Sequence, residues 1–330
     1  MKLTFTTAAL FAAWVSAAPT PTADEPLDAR TLQKRASITD AANIGYAQLN
    51  GGTKGGAGGQ TTTVSSFAQF SAAATADDAY VIVVDGHISD AAKVDVASDK
   101  TIIGTSGSGL EGVGLTINKK SNVIVRNLKV SKVLADYGDA ITIQASKNVW
   151  IDHVDVSSDM DHDKDYYDGL VDVSHASDWV TISNTYFHDH WKTSLVGHSD
   201  SNGDEDTGHL TVTYANNYFE NINSRGPSFR FGTGHIFNSY YSNAGTVINT
   251  RMGAQLLVES VVFEDCGDDA IYSADSDTTG YAVVRDVDLG GSTNSAPEGT
   301  LSSVPYDYSL IGSDGTKDAV VSTAGQTLSF

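Results

Sequence analysis

Cysteine is almost absent. The 330 residues hold one, Cys266, so no disulfide can form within the chain. A fold without cross-links must be held by a large hydrogen-bonded core. The lone thiol, between Phe263 and Ile271, reads as a small buried hydrophobe rather than a nucleophile. There is no Asn-x-Ser/Thr sequon, so N-glycosylation is not expected. Basic residues are scarce, with 20 Lys and Arg against 41 Asp and Glu, which excludes nucleic acid and anionic membrane surfaces as partners. Long apolar runs are missing too. The stretch from Leu3 to Val15 is too short to span a bilayer, and no later one is longer.

That first stretch reads as an export signal. Lys2 precedes it and Val15-Ser16-Ala17 offers a small-residue cleavage site, giving a signal peptide over 1–17 and a secreted, extracellular protein. A Pro/Thr/acidic segment then runs to Lys34-Arg35, a dibasic end that marks 18–35 as a propeptide. A disordered linker with a chance Lys-Arg is the plainer alternative. The remaining 36–330 are enough for one domain, expected as a monomer. Residues 1–35 take four basic and three acidic residues with them, leaving 16 and 38, a net charge of −22. Such a chain repels an acidic polymer unless a local cation site overrides the global field.

What is present is a recurring short strand. It appears as NVIVRNLKV (122–130), NVWIDHVDV (148–156), DWVTISNTYF (178–187), HLTVTYANNYF (209–219), GHIFNSYY (234–241) and AQLLVESVVF (254–263). Weaker copies begin at Tyr80 and Lys100, and a late one spans 279–289. Spacings of this kind belong to solenoid repeats, whose units bury a core only by stacking. Polar residues recur inside the copies, at Asn127, His153, Asn184, Asn217 and Ser239, and could hydrogen-bond along an interior ladder. A β-sandwich is disfavoured because NG and DG hairpin turns do not punctuate the strands. The pattern predicts an all-β parallel β-helix. The one amphipathic helix, SSFAQFSAAAT (65–75), would plug its first coil, with the Gly-rich GYAQLNGGTKGGAGG (45–59) as an extended arm before it.

Reactive side chains gather in three places. Asp139 precedes the apolar strand AITI, and Asp168 and Asp172 flank Gly169 in DGLVD. On neighbouring rungs these three carboxylates can converge, and hard oxygen donors suit calcium better than zinc. By spacing alone, solvated surface is an equal reading. The alternating Asp159, Asp161, Asp163 and Asp165 fail as an EF-hand, since Lys164 holds the glycine position and Leu170 the last acidic one. The third place is basic: Arg225 and Arg230 around Gly226-Pro227, with Lys192 after the aromatic FHDHW. Arginine forks match planar carboxylates; pairing with nearby acids such as Glu220 is the plainer alternative.

Together, DAITI (139–143), VWIDH (149–153), DGLVD (168–172), HDHWKTSLVG (188–197) and RGPSFRFG (225–232) resemble the pectate lyases of the polysaccharide lyase class, most closely fungal ones. The order and separation of the motifs agree over nearly the whole of 36–330. The resemblance implies a right-handed parallel β-helix that cleaves α-1,4-linked polygalacturonate by β-elimination. It places Asp139, Asp168 and Asp172 on the calcium ligands, Arg225 on the catalytic base, and Lys192 and Arg230 on residues that grip substrate carboxylates. One departure is Tyr137, where some members carry a further calcium-binding aspartate. Asp152 and His153 read as a structural polar pair; His188 and His190 are candidates for supporting the site from behind its direct contacts, with packing or loop hydrogen bonding the plainer role.

Arginine is normally charged, so such a base implies an alkaline optimum. Pectin lyases share the fold but lack the aspartates and need no calcium. Polygalacturonases carry further signatures of which only a faint trace exists at Asp268-Asp269. A noncatalytic carbohydrate-binding β-helix would not need Arg225, Lys192 and all three aspartates.

Overall fold

The computed structural model describes residues 36–330; the signal-peptide and propeptide readings lie outside the described residues. Every pairing between its extended strands is parallel, antiparallel contacts being single bridges, Leu134 to Tyr167 and Arg251 to Thr279, and the chain winds as a β-helix. One face stacks ten strands, from Gln60–Val64 through Ser121–Arg126, Lys147–Asp152 and Asp178–Ser183 to Tyr281–Asp288. A second face runs through Lys129–Ser131, Asp155–Ser157, Tyr186–Lys192, Tyr218–Ser224 and Tyr240–Ala244. A third runs through Gly109–Asn118, Ile141–Gln144, Val171–Ser174, Leu195–Val196, Ser228–Arg230 and Ile248–Arg251. Each repeat seen in the sequence is two of these strands joined at a corner, one on the first face and one on the second.

The corner explains the recurring polar residues. Asn127, His153, Asn184, Asn216, Asn238, Ser260 and Asp286 stand there with φ between 48° and 57°. Asn and Asp adopt this left-handed conformation more readily than most residues do. Their side chains form an outer ladder: Asn238 donates to Asn216 (3.1 Å), Asn216 to Asn184 (3.3 Å) and Asn184 to Asp152 (2.8 Å). Asn217 and Ser239, expected in the same ladder, belong to the next column inward. There Asn217 is buried and donates to the Ile182 carbonyl. The expected ladder thus splits in two, because Asn217 and Ser239 stand one place past corners that stay in register from rung to rung.

The interior is apolar and close-packed. Phe187, Phe219, Tyr241 and Phe263 stack with ring centroids 4.5, 4.5 and 4.9 Å apart, matching the spacing of hydrogen-bonded strands. The capping helix is Phe67–Thr75, started by Ser66, whose hydroxyl accepts from Gln69 N–H; Phe70 and Ala74 are fully buried against the first coils. The Gly-rich arm lies along the first face, where Tyr46, Ala47 and Gly56 donate to the hydroxyls of Thr213, Thr181 and Thr101. Gly56 is required by closeness: a Cβ there would lie 1.8 Å from the Tyr80 carbonyl oxygen. A C-terminal helix, Ser313–Thr323, is not foreseen by the sequence reading. It packs Val320 against Tyr240 and Val262 on the second face.

The VWIDH segment is structural. Asp152 is 1% exposed and accepts from Arg126 Nε (2.8 Å), Ser183 Oγ (2.7 Å) and Asn184, while Arg126 lies over the Trp150 ring and reaches Asp40. His153 Nδ1 is 2.9 Å from the same carboxylate but off the hydrogen-bond line. Burial alone would raise the Asp152 carboxyl; His153 and then Arg126 outweigh it and hold it at about 2. Because that value is below the unfolded one, the pair stabilises the fold above pH 4 or so. The contribution, on the order of 2–3 kcal/mol, is lost as pH falls toward 2. Asp152→Ala leaves Arg126 only its half-exposed partner Asp40 and takes the acceptor from Ser183 and Asn184, and is expected to destabilise by about 3 kcal/mol at neutral pH, with the deficit shrinking in melts toward pH 2.

Candidate active site

The third face gathers the predicted residues. Asp139 lies just before strand Ile141–Gln144, Asp172 on Val171–Ser174, and Arg225 just before Ser228–Arg230. Register brings Thr142 beside Asp172 and Gly169 beside Lys192. Asp139, Asp168, Asp172 and Arg225 line one cavity of about 220 Å³, together with Gln144, Ser174, Leu195 and His198. Neither Gln144, Ser174 nor His198 was singled out in the sequence. Two of them had a signal: Gln144 and Ser174 sit two places after Thr142 and Asp172, on the same outward face of paired strands.

The carboxylates are fixed by two backbone N–H groups and one hydroxyl. Asp139 Oδ1 accepts from Gly169 N–H (2.9 Å) and its Oδ2 from the Thr142 hydroxyl (2.8 Å). Asp172 Oδ1 accepts from Leu195 N–H (2.9 Å). Gly169 is needed for space rather than for a turn. A Cβ there would meet Asp172 Oδ1 at 2.7 Å and Asp139 Oδ1 at 2.8 Å. Burial pushes the Asp139 carboxyl up, and Asp168 adds to the rise. For Asp172, burial and then Asp139 push it well above the usual carboxylate range. Two desolvated carboxylates this close are a site short of positive charge.

Among the described residues no three His, Cys, Asp or Glu side chains form a ready-made metal cage. The reason is local: Asp168 turns toward Lys192, whose Nζ donates to it at 3.0 Å and to Asp165 at 3.3 Å. The donor set still fits a hard cation. It is all oxygen, Asp168 Oδ2 and Asp172 Oδ2 accept no hydrogen bond from the described residues, and the cluster opens to the cavity. Tyr137 packs against the core and adds no ligand.

The Asp168 turn is braced by a histidine. His190 is 1% exposed, and burial lowers it to about 4, so the ring is neutral. Its Nε2 donates to the Asp168 carbonyl (2.7 Å) while Nδ1 accepts from the Ser158 hydroxyl (2.5 Å). The acidic loop is self-bound rather than a second cation site: Asp159 takes His162 (2.7 Å) and the Tyr167 hydroxyl (2.9 Å).

The cations divide. Arg225 stands at φ 64°, its carbonyl accepting from Ser194 N–H (2.8 Å), and its guanidinium makes no ion pair among the described residues. Arg230 is 8% exposed and donates to Asp200 (2.5 Å) and the Gly197 carbonyl (2.8 Å). Pairing with a nearby acid therefore describes Arg230, with Asp200 and not Glu220 as partner. Arg230 is absent from the cavity lining.

Residues 4–329 match the pectate lyase family. The chain is 61% identical to the probable pectate lyase A of Aspergillus niger, over 98% of this chain and 97% of that one. It is 63% identical to the probable pectate lyase A of Aspergillus fumigatus, over 95% of each. Among solved structures, a Bacillus pectate lyase in complex with trigalacturonate superposes with a TM-score of 0.79 at 33% identity, covering 86% of this chain and 98% of that one. A variant of a Xanthomonas campestris pectate lyase gives 0.76 at 27% identity, covering 88% and 100%. With a family match across residues 4–329 and relatives above 60% identical over nearly its whole length, this chain belongs to the pectate lyase family.

Proposed function

We propose that the third-face cavity cleaves polygalacturonate by β-elimination, with Asp139, Asp168 and Asp172 as calcium ligands and Arg225 as the base. The observation that carries this reading is an unpaired arginine sharing a cavity with three crowded carboxylates. A bound calcium ion would neutralise a substrate carboxylate and so acidify the proton on the adjacent carbon 5. Asp139 and Asp172 are held in place by the N–H groups of Gly169 and Leu195, and His190 anchors the Asp168 turn. Arg225 takes the carbon-5 proton. The electron pair left behind forms the carbon 4–carbon 5 double bond as the bond from carbon 4 to the glycosidic oxygen breaks, and the departing oxygen takes a proton from water. Lys192 and Arg230 serve to orient substrate carboxylates; for Arg230 this requires exchange of Asp200 for the substrate group.

Export follows from the signal-peptide reading of 1–17, and an extracellular enzyme would meet its polymer outside the cell. The test uses purified protein with polygalacturonate and with highly esterified pectin, each with and without a chelator. Ultraviolet absorbance of the unsaturated product and reducing ends should rise together on polygalacturonate, and both should vanish on chelation. Reducing ends without absorbance would mean hydrolysis, and activity on esterified pectin that survives chelation would mean a calcium-free lyase.

A further inference from the structure

A solenoid lays sequence order out along an axis, so charge segregated in the sequence is segregated in space. Residues 36–157 carry 9 basic and 12 acidic residues, a net of −3, while 158–330 carry 7 and 26, a net of −19. The carboxylate cluster stands near this boundary. The lysines of the later part, Lys164, Lys192 and Lys317, all sit in ion pairs. In the earlier part Lys54, Lys93, Lys119, Lys120, Lys132 and Lys147 make none among the described residues. Three of these meet at the corner that follows the third-face strands. Lys119 N–H donates to the carbonyl of Gln144 (2.9 Å), a cavity residue, and Lys147 N–H donates to the Lys120 carbonyl (3.1 Å). Lys119 and Lys147 are exposed and Lys120 is half-buried; Lys147 also lies over the Trp179 ring at 5.3 Å.

We infer that Lys119, Lys120 and Lys147 form an anion-binding extension of the cleft, on which a long uronate chain continues from the carboxylate cluster toward the N-terminal coils. The proposal rests on the function assigned above and adds a direction to it. Because predicted cleft residues occupy successive rungs of the third face, a bound polymer crosses rungs. Past Arg225 and Arg230 on the C-terminal side it meets the more acidic part of the chain, a net of −19 over 158–330. On the N-terminal side it meets unpaired ammonium groups whose charge is not spent internally. Fixed cations beside a cleft in an acidic protein raise local polyanion concentration in a salt-dependent way. A trimer held at the cluster would not need them; a long chain would.

The test is the full-length triple variant K119Q/K120Q/K147Q, with K317Q as the control from the acidic end. These side chains hold no buried partner, and unchanged circular dichroism melts confirm folding. At low salt the triple variant should raise KM for long polygalacturonate by about fivefold, with kcat and trimer kinetics unchanged and the salt dependence of KM flattened. K317Q should leave KM where it is. An unchanged polymer KM, an equal loss on the trimer, or the same shift in K317Q would overturn the proposal. Retardation in gels containing polygalacturonate reads binding without catalysis. A wild-type chain that binds but does not cleave defeats the assigned function alone, whereas equal retardation of wild type and triple variant defeats the lysine surface alone.

Discussion

Arg225→Lys is expected to lower turnover on polygalacturonate by roughly 10²–10⁴-fold, the range a positioned base contributes, with melting temperature close to wild type. The structure makes this substitution a clean one. Arg225 has φ 64°, and lysine meets the same left-handed penalty as arginine, so the backbone pays nothing new. The bond from Ser194 N–H to the residue 225 carbonyl is independent of the side chain. The positive charge beside Asp172 also remains. What disappears is the planar fork and the position of its nitrogens, and a point charge on a flexible stem does not replace them. Wild-type activity should climb toward alkaline pH, as a normally charged base requires. Turnover by the lysine variant within about tenfold of wild type would remove Arg225 from the proton-transfer step.

The β-helix was legible because its repeat is carried by many apolar residues in alternation, and because each left-handed corner favours a few residue types. Asn127, His153 and Asn184 mark that column; Asn217 and Ser239 misled because a buried polar residue next to a corner looks the same in sequence. The C-terminal helix was missed because its burial is confined to Thr316 and Val320 within a polar run, too little for a periodic signal. At the site, residue types gave Asp139, Asp168, Asp172 and Arg225, and stacking brings these four to one cavity. Spacing could not say that Asp168 turns to Lys192, or that Arg230 is committed to Asp200, since both depend on where loops from other coils fold back. Nor could it give the role of Gly169. Its φ is unexceptional, and only the two carboxylate oxygens over it show why no side chain fits.

Those two oxygens lead to the second large effect: with a chelator present, Asp172→Asn should melt at a higher temperature than wild type, and calcium should reverse the order. The Asp172 carboxyl is pushed well above the usual range by burial and then by Asp139, so its folded value exceeds its unfolded one. A group of that kind costs stability as pH rises from about 3.9, its unfolded value, through the folded value. At neutral pH the metal-free wild type therefore bears the cost of this raised carboxyl, which Asn removes while its Oδ1 still accepts from Leu195 N–H. Calcium acts in the opposite sense. At a hundred times its Kd it adds about 2.7 kcal/mol to the folded state, worth a few degrees in a domain of this size. The Asn variant, short of one ligand charge, should gain little of this and should lose lyase activity. Differential scanning fluorimetry with calcium and with chelator decides it: a wild-type melting temperature indifferent to calcium would strip the three aspartates of their metal role. A variant more stable without calcium yet inactive with it would mean that the crowding of Asp139 and Asp172 serves the cation and not the fold.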